Sequence, residues 1–196
     1  KAHYPVEYLA ALLTSVKDSQ DKAAIYLAEC RTMGIEVRVP DINLSVSKFT
    51  AVPPPAEEAG AGALGSIPFG LSAVRNVGEG VTDLILAERE TGGDFVDFYD
   101  FCERVDTAAL NKRTVEALIK AGACDGFGKT RATLMAQAER TLARAASIIA
   151  DRQRGQASLF GAVEDRTTSE PANGQPDLPE WPEHEILAQE KELLGF

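Results

Sequence analysis

Histidine and cysteine are scarce in this 196-residue chain, with two of the first and three of the second. His3 and His184 stand near opposite ends, and Cys30, Cys102 and Cys124 are widely spaced with no Cys-x-x-Cys pair. A histidine or thiolate metal centre is therefore not expected, and no Ser/His/Asp set can be assembled. Three thiols set in amphipathic segments fit buried, free cysteines in a reducing cytosol rather than a disulfide framework. No stretch approaches the ~18 consecutive apolar residues of a membrane-spanning helix, and no signal-peptide layout is visible, so a soluble cytoplasmic protein is expected. Net positive charge is also missing. Twenty Lys and Arg against thirty Asp and Glu leave a formal charge of −10, which argues against indiscriminate nucleic-acid binding but leaves room for a local phosphate site. The chain opens at Lys1 without methionine and closes on a helix-like Glu-Lys-Glu-Leu-Leu-Gly-Phe run, as expected of a segment of a longer protein.

What is present reads as a mainly α chain: a small α/β unit, then a tandem helix-hairpin-helix domain, then a flexible tail. In residues 1–52, Val6, Leu9, Ala10, Leu13 and Val16 recur at helical spacing behind Pro5, a residue suited to a first turn. A second helix should start after Asp18 and Ser19 and stop at Gly34, with Ala24, Leu27, Ala28 and Met33 on its apolar side. The β-branched run Ile35–Val39 predicts a strand closed by Pro40, and Lys48–Val52 a second short one. Residues 53–66 have loop composition. Their Gly60, Gly62 and Gly65 spell a formal Gly-x-Gly-x-x-Gly, but proline and glutamate precede it and an extended Ile67-Pro68-Phe69 follows. A dinucleotide fingerprint needs a strand before and a helix after, so no phosphate role is assigned there. In residues 67–154 helices are expected near 71–76, 79–91, 96–104, 111–121 and 129–152, with Asn111 an N-cap and Leu134, Ala138, Leu142, Ala145 and Ile149 the stripe of the last. Residues 162–182 are polar and carry few large apolar groups, as a linker does, and a terminal helix resumes in 183–196 as the start of a further domain.

The chemistry concentrates in three places. Val77-Gly78-Glu79-Gly80 sits between two amphipathic turns, the pattern of a helix-hairpin-helix. Glycine permits a tight turn and a close backbone approach, and the free amides at the following helix start can bind an anion without reading base identity. Arg75 and Asn76 flank the turn and can add hydrogen bonds to the same strand. The same pattern also suits an ordinary Gly-rich connection between helices. A fainter copy follows, with Ala117-Leu-Ile-Lys120-Ala-Gly122 in step with Ala73-Val-Arg-Asn-Val-Gly78 and Cys124 in the place of Gly80. Lys112, Arg113, Lys120, Lys129 and Arg131 give this half a basic face. Paired hairpins of this kind track the two strands of a duplex through phosphates rather than base edges. Asp94, Asp97 and Asp100 alternate with Phe95, Phe98 and Phe101 and read as a solvated face beside a core stripe rather than a two-metal site. Finally, Gln156-Ala157-Ser158-Leu159-Phe160, within residues 155–161, combines an amide with two adjacent large apolar side chains. Left in water, those side chains each forgo about 1.5–3 kcal/mol, so the peptide suits a foreign pocket as well as a staple onto its own core.

In order along the chain, Lys1-Ala-His-Tyr-Pro-Val-Glu-Tyr8, Val39-Pro-Asp-Ile-Asn43, Phe69-Gly-Leu-Ser-Ala-Val-Arg-Asn-Val-Gly-Glu-Gly80, Leu110-Asn-Lys-Arg-Thr-Val-Glu-Ala-Leu-Ile-Lys-Ala-Gly-Ala123 and Gln156–Phe160 together resemble the alpha subunit of bacterial DNA polymerase III, a C-family replicative polymerase. The resemblance implies that residues 1–52 end the fingers region, that 67–154 form a tandem helix-hairpin-helix holding double-stranded primer-template DNA, and that Gln156, Ser158, Leu159 and Phe160 form the internal motif for the sliding clamp, the beta subunit. It implies other replicase subunits as partners and a place at the nucleoid. It also implies a parent enzyme that joins dNTPs with Mg²⁺ held by palm aspartates. Those aspartates match nothing in this chain, so no catalytic residue is carried over. Cys124 and the Pro/Ala/Gly-rich stretch 53–65 depart from the family pattern. The competing reading is a non-catalytic helix-hairpin-helix repair adaptor that binds DNA and clamp, which would lack a palm upstream of Lys1. A repair enzyme docking through its hairpins would need a catalytic Lys or Asp beside them, and none is identified.

Overall fold

The computed structural model describes residues 3–17, 19–54, 64–106, 109–153 and 177–195. Pro5 opens α1 (Pro5–Ser15), which buries Val6, Leu9, Ala10 and Leu13 along one side. Helix α2 (Gln20–Thr32) lies against it. Its buried side chains are Ala23, Leu27 and Cys30, whereas Ala24 and Ala28 face solvent, so the stripe expected from sequence is turned by one residue. Alanines on both sides of a helix leave its phase undetermined by composition; here Leu27 and Cys30 set it. Gly34, at φ +72°, ends the turn, and Ile35 N–H donates back to Cys30 O at 2.9 Å.

Strand β1 (Glu36–Arg38) pairs in parallel with β2 (Ser66–Pro68), Val37 opposite Ile67. The expected strand at Lys48–Val52 is reduced to one antiparallel bridge, in which Val52 and Ser66 exchange two 2.8 Å backbone bonds. Gly65 makes this possible, because a Cβ there would stand 2.1 Å from Val52 O. That glycine serves close packing, while Gly60 and Gly62 lie outside the described residues. Phe49 meets Phe69 edge-on at 4.6 Å, and one core cluster continues from Val6 to Leu194. The boundary expected at residues 53–66 therefore coincides with no gap in the core.

Beyond a 3-10 turn at Leu71–Ala73 come α3 (Glu79–Gly92), α4 (Phe98–Arg104), α5 (Lys112–Lys120), a second 3-10 turn at Asp125–Phe127, α6 (Arg131–Gln153) and α7 (Glu183–Leu194). Phe101, fully buried, is ringed by Phe95, Phe98 and Phe127. Two of the three alternating aspartates, Asp97 and Asp100, serve α4. Asp97 caps α4 by accepting from Asp100 N–H at 2.8 Å, and Asp100 accepts from Val96 N–H and Arg104. Arg104 donates to Glu88 O at 2.6 Å and Gly93 O at 2.9 Å and lies over the Phe95 ring, locking the α3–α4 corner. Asn111 caps α5 as its sequence position predicts, accepting from Thr114 N–H at 3.0 Å. Helix α6 packs on α4 and α5 through Leu134, Ala138, Thr141 and Ala145, with Leu142 half-buried. Helix α7 returns along α5 and buries Leu193 and Leu194. Among the described residues no helix is long and apolar enough to cross a membrane.

Candidate nucleic-acid interface

The first hairpin turns at Asn76, the one described non-glycine residue with positive φ, at +70°. Asparagine tolerates this left-handed region better than most side chains do. Gly78 (φ −80°) and Gly80, within α3, have ordinary backbone conformations, so the tight turn is not what they supply. They supply room. A Cβ added at either would meet nothing within 4 Å. Gly78 is the N-cap of α3 and provides no side-chain cap, so the first amides of that helix, those of Glu79, Gly80 and Val81, have no acceptor within the helix.

Neighbouring elements hold this corner. Arg75 N–H donates to Leu193 O of α7 at 3.1 Å, leaving its side chain exposed. The Asn76 carbonyl accepts from Thr114 Oγ1 of α5 at 3.2 Å. Val77 is buried and anchors the turn, its N–H donating to Val74 O. Gly78, Glu79 and Gly80 are exposed. The Glu79 carboxylate takes a hydrogen bond from Lys17 Nζ at 2.5 Å; that bond first, then the charges of Lys17 and Lys48, holds its pKa below the usual carboxylate range. Neither lysine carries a local signal of this role, because each comes from a distant part of the sequence.

The second hairpin has the same backbone logic with a different register and a different environment. Its first positive-φ residue is Gly122, at +85°, with Gly128 a second at +72° before α6, and the N-cap two residues after Gly122 is Cys124. Asn76 thus corresponds to Gly122, and Gly78 to Cys124, a shift of two from the alignment by sequence. The reason is steric: the left-handed residue defines the turn, and in the first copy it is not a glycine. Gly122, expected to approach DNA, is instead a buried corner. Its N–H donates to Ile119 O, and a Cβ there would lie 2.4 Å from the Arg131 guanidinium. Ala121, Ala123 and Cys124 are buried as well, and Ala123 O accepts from Ile42 N–H.

The helix that follows is sealed too. Glu180 accepts from Arg131 N–H at 2.8 Å and Ala132 N–H at 3.3 Å, and Thr130 Oγ1 accepts from Thr133 N–H at 3.1 Å, occupying the first three amides of α6. Burial works to raise the Glu180 pKa, but amide hydrogen bonds from Trp181, Arg131 and Ala132 and the Arg131 charge outweigh it and hold it low. Arg131, 6 % exposed in its side chain, joins Asp125 and Glu190 at 2.7 Å each and donates to Lys120 O. The expected basic face is largely neutralised, since Lys112 pairs with Glu139 at 2.9 Å and Lys129 with Asp177 at 3.1 Å, leaving Arg113 exposed and Lys120 half-buried.

Among the described residues no group of His, Cys, Asp or Glu is arranged to hold a metal ion. Asp97 and Asp100 are committed to hydrogen bonds around the first turn of α4. All three cysteines are free and buried, as expected. Burial pushes the Cys30, Cys102 and Cys124 thiols up, which withholds the reactive thiolate form. Gln156, Ser158, Leu159 and Phe160 lie outside the described residues.

A family described as the helix-hairpin-helix motif matches residues 34–134, from just past α2 into the first turn of α6, and so takes in both hairpins. Over its whole length the chain is 44 % identical to the DNA polymerase III subunit alpha of Saccharopolyspora erythraea, 41 % to that of Mycobacterium tuberculosis and 38 % to that of Vibrio cholerae. It spans 16 % of the length of each of these relatives.

Proposed function

This chain belongs to the helix-hairpin-helix family and is homologous throughout to a segment of DNA polymerase III alpha subunits, and from that premise we propose that it is the duplex-holding and clamp-tethering part of such a replicase. The observation that carries the reading is the open start of α3 in a matched hairpin: uncapped amides between two glycines with free space around them, beside an exposed Arg75. A phosphate oxygen approaching there accepts from the Glu79, Gly80 and Val81 amides, and Arg75 adds a charge-assisted bond. Base edges are not involved, so the grip travels with the duplex whatever its sequence.

Gln156, Ser158, Leu159 and Phe160 follow α6 by a few residues and engage a pocket on the sliding clamp. Two apolar anchors and one amide bind weakly once ordering costs are subtracted. A clamp threaded on the same DNA supplies a high effective concentration, so weak binding suffices. Nucleotidyl transfer with Mg²⁺ belongs to the parent polymerase in the bacterial cytoplasm, among the other replicase subunits, and no residue of this chain is assigned to that step.

The reading is tested by titrating duplexes of unrelated sequence with the chain, followed by fluorescence anisotropy, and by clamp capture. Affinity should be alike for all sequences and fall steeply as salt rises. The Leu159→Ala/Phe160→Ala variant should lose clamp capture and keep DNA affinity. Sequence-selective binding would remove the phosphate mechanism, and undiminished capture would remove the clamp assignment.

A further inference from the structure

Glu79 poses a problem for an anion site, because its carboxylate stems from the first residue of the helix whose amides are to receive a phosphate. Negative side chains are attracted to a helix N-terminus. Unrestrained, this one would compete for the amides and repel the incoming anion. The structure holds it elsewhere. Lys17, in the turn after α1 where Ser19 N–H donates to Val16 O at 2.8 Å, grips the Glu79 carboxylate at 2.5 Å. The lysine side chain is 22 % exposed and the glutamate 67 %, so the ammonium is the anchored partner and the carboxylate the one drawn to it. With Gly78 and Gly80 bare on either side, the amides are left clear.

We propose that Lys17 is a positioning residue for the phosphate contact of the first hairpin: it holds the Glu79 carboxylate aside and neutralises it, making the grip on DNA depend on where α1 sits. This rests on the duplex-holding reading above. It assigns to the N-terminal α/β unit a share in binding DNA that Lys17 exercises through Glu79, and it ties two parts of the chain that are distant in sequence.

A double-mutant cycle of the 196-residue chain on a random-sequence duplex separates this from a direct lysine–phosphate contact. Lys17→Ala should weaken binding about three- to tenfold, the scale of one partly screened charge brought near a phosphate. Glu79→Gln should bind at least as tightly as the parent, and Lys17→Ala/Glu79→Gln should match Glu79→Gln. Recovery in the double variant also shows that loss of the Lys17 side chain alone does not unfold the chain. The same loss from Lys17→Ala in both backgrounds, or no loss in either, overturns the proposal while leaving the duplex-holding function in place. Failure of the unmutated chain to bind duplex would overturn both.

Discussion

The two hairpins share a turn and differ in everything around it. Each places a left-handed residue two positions before the N-cap of the next helical turn, Asn76 before Gly78 and Gly122 before Cys124. Around the first, glycines without neighbours and uncapped amides face solvent. Around the second, Arg131 fills the corner, Cys124 lies in the core, and Glu180 occupies the start of α6 further on. One backbone motif has been used once as a surface and once as a joint. The presence of the motif therefore does not decide whether it binds a ligand; what the rest of the chain packs against it does.

The joint is the place where damage should be largest. Arg131→Met leaves Asp125 and Glu190 facing an apolar side chain. Removing one member of a buried ionic network costs about 3–5 kcal/mol, and the partial exposure of Asp125 points to the lower end. The melting temperature should fall by roughly 6–12 °C, at about 2–4 °C per kcal/mol for a chain of this size. DNA affinity measured well below the transition should be retained, and a loss there would mean that the second hairpin also holds DNA.

A smaller effect is expected at the cap. Glu180→Gln weakens the acceptor on the first amides of α6 and should cost ~1 kcal/mol, about 2–4 °C. Because the folded-state pKa of Glu180 is depressed, its contribution is present above the unfolded value of about 4.3 and is lost as pH falls through the lower folded value. The gap between the two melting curves should be full at neutral pH and close in acid. A gap independent of pH would assign the effect to something other than the carboxylate charge.

Much of the fold was legible where its signals are local. Helical spacing located the seven α-helices of the described residues, although the helix expected near 71–76 is only a 3-10 turn at Leu71–Ala73, and Asn111 was readable as a cap because its acceptor acts three residues away. The phase of α2 was misread by one residue because alanine occupies both candidate faces. The β1–β2 pairing joins segments about thirty residues apart in register, which no short pattern encodes. At the site, the Gly-x-Gly drew attention to Gly78 and Gly80 and concealed that Asn76 makes the turn. The partners that decide the fate of each hairpin are the least legible. Lys17 reaches Glu79, Glu180 reaches α6, and Glu190 reaches Arg131 only through the tertiary fold. Arg131 counted toward a basic face in the sequence for the same reason: its carboxylate partners include one from α7.

The division between surface and joint is tested most directly by comparing the duplex affinity of Gly78→Ala/Gly80→Ala with that of Gly122→Ala. The double variant adds two methyl groups that meet nothing in the free protein, so it should melt no lower than the parent, yet crowd the phosphate and weaken binding at least tenfold, about the worth of one charge-assisted bond. Gly122→Ala forces a side chain into a left-handed residue and against Arg131, so it should melt lower and bind DNA normally while folded. Unchanged affinity in the double variant, together with lost affinity in folded Gly122→Ala, would contradict the account.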